Sequence, residues 1–131
     1  MAIYSLTITT PPGEERDSDI EIEGDYISYV NLRFPPGPSG LLEISIFYGI
    51  HQIFPHDEGQ VFTGDDEAIA WQEYWLLPES PCTITIHTQN NDDTYEHSVQ
   101  VRIATLTHAQ SPAGQIGSAI VRAVKSALSF I

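Results

Sequence analysis

The sequence predicts an all-β fold: an antiparallel β-sandwich of seven or eight strands, jelly-roll or immunoglobulin-like, with a C-terminal amphipathic helix or extension. Three observations carry that reading. Apolar and polar residues alternate with a period of two over short runs through residues 1–106. Pro, Gly, Asn and Asp punctuate those runs at the spacing of about 8–12 residues usual for sandwich strands. Charge is divided as well: all eighteen acidic residues fall between Glu14 and Glu96, and residues 107–131 hold none. The expected organisation is a β-sandwich domain over 1–106 and a basic amphipathic docking or oligomerisation segment over 107–131.

The strands follow in order. Ile3, Leu6 and Ile8 lie among Ser and Thr, and Pro11-Pro12-Gly13 ends that run. Ile20 and Ile22 alternate with Asp19, Glu21 and Glu23, which gives a strand with one wet face. After Gly24-Asp25, the run Tyr26 to Phe34 places Ile27, Tyr29 and Asn31 opposite in parity to Tyr26, Val30, Leu32 and Phe34. Pro35 to Gly40 is a stiff loop that can be neither strand nor helix. Leu42, Ile44, Ile46 and Tyr48 alternate up to Gly49, and a short strand near His51 to Phe54 stops at Pro55. Two further pieces, Glu67 to Trp71 and Tyr74 to Leu77, precede Pro78. Thr83 to Gln89 and Tyr95 to Leu106 flank Asn90 to Thr94 and read as a hairpin. In the tail, Ser111-Pro112 is a helix start. Beyond it Ile116, Ile120, Val124 and Leu128 recur every four residues with Arg122 and Lys125 facing elsewhere. A helix of about 18 residues is marginal alone in water and needs a surface to lie on.

The totals bound the function. At 131 residues the chain forms one domain with its own core. A net charge of −13 with five Lys and Arg excludes nucleic acid as the expected partner, because phosphate binding needs cations. Residues 1–106 carry three arginines against eighteen carboxylates, whereas the last 25 residues carry only Arg122 and Lys125. The single cysteine, Cys82, heads an apolar run and is expected to be a buried, inert thiol. Met1 to Thr10 lacks the basic start of a secretory signal and no run is long enough to span a membrane, so synthesis in the cytosol is expected. Two basic residues attract anionic lipid weakly, so a membrane surface is not the expected partner.

Each candidate site also has a plainer structural role. Asp65, Asp66, Asp92 and Asp93 lie in oxygen-rich loops that could converge on a calcium ion at one end of a sandwich. Turn hydrogen bonding by Asx residues is the favoured reading, and no cofactor is expected. His87 and His97 invite a zinc site, yet strand parity puts them on opposite faces. His51 and His56 lie near Asp57 and Glu58 without a ligand spacing. Trp71 and Trp75 share a face and, with Phe62, could stack a sugar, although core or subunit interface is favoured. There is no Gly-x-Ser-x-Gly elbow, phosphate loop or His-Glu-x-x-His, and nothing singles out an acidic pair. The chain is expected not to be an enzyme.

Tyr48-Gly49, His51-Gln52-Ile53, Pro55, Glu58-Gly59, Phe62, Asp65-Asp66-Glu67 and Ile69 form one string. Asn91-Asp92-Asp93-Thr94-Tyr95, His97, Val99, Val101, Arg102 and Ile103 form another. Together they make residues 3–104 resemble small all-β structural proteins of tailed-phage virions. The resemblance leaves out the tail and transfers no functional residue. It implies a capsid-associated or decoration protein, made in the host cytoplasm and placed in the virion in many copies. The expected partners are a major capsid protein, other virion subunits, or further copies in a homo-oligomer. Ile116, Ile120, Val124, Leu128, Arg122 and Lys125 are the expected interface. The alternative is a lectin-like module that binds carbohydrate or calcium.

Overall fold

A computed structural model describes residues 1–109 of the chain. Eight strands make up this body: β1 (Ala2–Thr10), β2 (Glu15–Ile22), β3 (Tyr26–Phe34), β4 (Leu42–Tyr48), β5 (His51–Phe54), β6 (Glu67–Leu76), β7 (Cys82–Asn90) and β8 (His97–Leu106). They form two four-stranded antiparallel sheets, β1-β8-β3-β6 and β2-β7-β4-β5. The first is called sheet A and the second sheet B. Every described connection except β4 to β5 crosses from one sheet to the other. This wrapping, with first and last strands paired, is the eight-stranded jelly roll and decides between the two expected topologies.

Period-two alternation explains the packing. On sheet B, Ile22, Ile44, Ile46, Ile84 and Ile86 point inward and are fully buried. Leu32, Phe34, Val99, Val101 and Ile103 meet them from sheet A, forming one core. At about 1.5–3 kcal/mol per large buried side chain, this layer dominates the stability of the fold. Cys82 lies within it, and burial pushes its thiol pKa up. Buried polar groups are satisfied: Thr10 Oγ1 and Thr88 Oγ1 lie 2.7 Å apart across the sheets, and Thr105 Oγ1 donates to Glu23 O at 2.6 Å. Gly24, at φ +132°, turns β2 into β3 so close to Thr105 that a Cβ there would stand 3.1 Å from the threonine side chain.

Four details differ from the sequence reading. The β7–β8 segment is no hairpin: β7 pairs with β2 and β4, and β8 with β1 and β3. Asn90 makes the corner instead, because its buried amide holds the chain ends of two sheets together. Second, Glu67–Leu76 is one continuous strand; its register against β3 shifts at Gln72–Trp75 without breaking the pairing. Third, the same irregularity at Ile27–Tyr29 flips parity, so Ile27 joins Val30 in the core while Tyr26 turns outward. Finally, β8 begins at His97, because Asn91 to Glu96 are spent on the corner. The predicted helix and its residues Ile116, Ile120, Arg122, Val124, Lys125 and Leu128 lie outside the described residues.

Candidate interaction surface

The broad outer faces of the two sheets differ in charge. On sheet B the outward rows carry Glu15, Asp17, Asp19 and Glu21 from β2 and Glu43 from β4, facing the polar row Thr83, Thr85, His87 and Gln89 of β7. Thr85 Oγ1 donates to Asp19 at 2.7 Å, and His87 Nδ1 lies 2.6 Å from Asp17 Oδ1. This face is acidic, with Phe47 of β4 lying edge-on to His87 within it.

Sheet A is the reverse. Its outward rows run Ile3, Ser5, Thr7 and Thr9 on β1, then Ser98, Gln100, Arg102, Ala104 and Leu106 on β8. Tyr26, Tyr29, Asn31 and Arg33 follow on β3, with Ala68, Ala70, Gln72, Tyr74 and Leu76 on β6. Among the described residues, no carboxylate stands in those rows. Ile3, Tyr74 and Leu76 expose 61%, 59% and 54% of their surface, so apolar area is left in water rather than tucked away. Tyr26 is shielded only by neighbours, its ring 4.5 Å from Tyr74 and 5.7 Å from His108. The described residues thus end beside this apolar patch.

The acidic loops do converge at one end of the sandwich. Asp65 Oδ1 accepts from Gly37 N at 2.8 Å and Ser39 N at 3.1 Å, which fastens the Pro-rich loop. Asp92 Oδ1 accepts from Thr94 N and Tyr95 N, while Asp92 Oδ2 lies 2.8 Å from Nε2 of the buried His97. The Ser39 and Gly37 amides hold the Asp65 carboxyl below its usual range; the Thr94 amide, then His97, does the same for Asp92. Asp66 pairs with Arg33 at 3.1 Å, and Asp93 Oδ1 accepts from Thr94 Oγ1 at 2.9 Å. All four carboxylates therefore serve turns or an ion pair, and no group of three potential metal ligands occurs among the described residues. His87 and His97 belong to different sheets, which separates them for a reason beyond parity.

The aromatic residues close the open side between β5 and β6. Trp71 stacks on Phe62 with centroids 5.0 Å apart and meets Phe54 edge-on at 5.5 Å, and Trp75 tilts against Tyr48 at 5.9 Å. Trp71 Nε1 donates to Glu73 Oε1 at 3.1 Å, and His56 Nε2 lies 3.2 Å from the same oxygen. A shallow recess of about 260 Å³ remains between Pro55, His56 and Trp71. Tyr74 points away, onto the outer face of sheet A. The sequence reading missed that face, since knowing it requires knowing which strands are neighbours.

No protein-family model matches the chain. No curated protein matches it either. Among solved structures, it is similar to the Yersinia pseudotuberculosis-derived mitogen, with TM-score 0.48 and 10% identity over 79% of this chain and 86% of the other. The Aeromonas hydrophila periplasmic inhibitor of g-type lysozyme, PliG, gives 0.45 and 9% identity over 78% and 84%. FLHE gives 0.41 and 12% identity over 78% and 94%. Likenesses this distant carry no functional argument for the chain.

Proposed function

We propose that this chain is a non-enzymatic structural module, a shell-associated virion protein present in many copies. It attaches through residues 107–131 to a major capsid protein or to its own copies. The observation that carries the reading is the contrast between the two faces: five outward carboxylates on sheet B, none on sheet A, where apolar side chains stand in water. A broad face that bears exposed apolar side chains beside Arg33 and Arg102 and no carboxylate is suited to being covered, and an acidic one keeps the module soluble until it is. The sequence resemblance to tailed-phage virion proteins supplies the setting. Jelly rolls serve viral capsids and lectins alike, so the fold by itself favours neither.

Co-sedimentation with shells assembled from a tailed-phage major capsid protein tests the proposal. The full chain should pellet with the shells, and a full-length Ile120→Asp/Val124→Asp chain should stay in the supernatant. Equal pelleting of both, or of neither, overturns attachment through the tail.

A further inference from the structure

The four sheet edges are not alike. On sheet B, edge strand β2 carries five charged residues in eight, and β5 has only four residues and runs into Pro55. Charge and brevity are the usual means of preventing an edge from pairing with another chain. Sheet A lacks both. Its edges are β1, nine residues with no charged side chain, and β6, ten residues whose two glutamates stand in the inward row. Neither contains proline.

Both edges are also unfinished on their inner side. The inward residues of central strands β3 and β8 are buried, but Tyr4 and Leu6 on β1 and Ile69, Trp71 and Trp75 on β6 are only partly covered. A further strand beside each edge would complete that burial.

We infer that copies of this protein associate edge to edge through sheet A, β6 of one against β1 of the next. Strand polarity allows it. Three antiparallel pairings separate β1 from β6, so the two run in opposite directions. The next copy, placed in the same orientation, then presents its β1 antiparallel to β6, and the sheet continues without a break. Pairing nine residues forms about nine main-chain hydrogen bonds, close to the roughly ten of an ordinary protein interface. Without stagger Ser5 lies beside Ala70 and Thr7 beside Ala68, small residues against small, and seven residues pair, Ala2 to Ile8 against Glu73 to Glu67. A shift by one pleat brings Ile3 beside Tyr74 and pairs all nine residues of β1. The contact is heterologous, so it leaves a free β1 at one end and a free β6 at the other, and it propagates. Sheet twist makes the resulting row helical. The inference rests on the reading above only in taking the protein to work in many copies; the tail plays no part in it.

Two full-length variants test the pairing. Leu6→Lys and Ile69→Lys each place an ammonium group where the added strand would bury it, blocking β1 and β6 respectively. In sedimentation velocity, wild-type chain should form a concentration-dependent series of multimers. Each variant alone should remain monomeric, with at least a tenfold weaker association constant. A mixture of the two should form a one-to-one dimer, because each supplies the edge the other lacks. Should Leu6→Lys dimerise alone, β6 pairs with itself and the inference fails; it fails equally if wild-type chain stays monomeric to millimolar concentration.

A second measurement guards against loss of fold. The Ser5→Cys/Ala70→Cys chain, treated with a short bis-maleimide, should give a ladder of cross-linked multimers, with Cys82 buried and silent. Dimers from Ala70→Cys alone contradict the pairing. Shell binding is scored separately, so an edge defect with intact pelleting, or the reverse, tells the two proposals apart.

Discussion

Replacing Asn90 probes the corner that turns β7 out of sheet B and into sheet A. Asn90 is 1% exposed. Its Nδ2 donates to Thr10 O at 3.0 Å and Tyr95 O at 2.9 Å, and its Oδ1 accepts from Asp92 N at 2.9 Å. Asn90→Ala deletes three bonds worth about 1 kcal/mol each, so about 3 kcal/mol should be lost. With an m-value of about 1.5 kcal/mol/M the urea midpoint falls by about 2 M, at unchanged m. Asn90→Asp discriminates further. Its carboxylate would face two carbonyl oxygens without a donor, which raises the folded-state pKa above the unfolded value. Relative stability of Asn90→Asp over Asn90→Ala is then present below about pH 4 and lost as pH rises through the raised folded pKa. Asn91→Ala, which removes an exposed bond to Glu43, is the control and should cost under about 0.5 kcal/mol. Loss of less than about 1 kcal/mol in Asn90→Ala, measured by urea denaturation, would refute the corner's role.

Ile86→Ala, at a fully buried site, should destabilise by about 3–4 kcal/mol in the same assay, against under about 0.5 kcal/mol for Ile50→Ala in the exposed β4–β5 turn. Because the folded pKa values of Asp65 and Asp92 are lowered, the loop clasp is held above the ordinary carboxylate range and released as pH falls below about 4. Hydrogen exchange at the Ser39, Thr94 and Tyr95 amides should accelerate beyond its intrinsic pH trend there, and Asp92→Asn should remove that acceleration at Thr94 and Tyr95. Calcium should leave the melting temperature unchanged; a rise abolished by Asp65→Asn or Asp92→Asn would instead favour the lectin-like alternative. Cys82 should react with a maleimide only under denaturing conditions, so prompt labelling of the folded chain contradicts its placement in the core.

Much of this body was legible in the sequence because strands with one buried face write their own alternation. Leu42, Ile44 and Ile46 are buried while Glu43 faces out, as the period of two requires. What alternation does not encode is which sheet receives a strand. Thr83 to Gln89 and Tyr95 to Leu106 look like a hairpin because turn residues separate them, yet the decisive signal was Asn90, a polar residue at a buried parity position. Ile27 was misplaced because a bulge adds one residue and reverses every side chain before it. The glutamates of β2 announced a wet face directly. The carboxylate-free face of sheet A is assembled from four separate segments and becomes visible only once β1, β8, β3 and β6 lie side by side.

Hydroxyl-radical footprinting across the association range reads the covered surface most directly. As wild-type chain assembles, Ile3, Tyr74 and Leu76 should lose reactivity together, while Ile50 and Tyr95 keep theirs. Protection of Ile50 or Tyr95 in place of those three would mean that another surface is the one this protein hides.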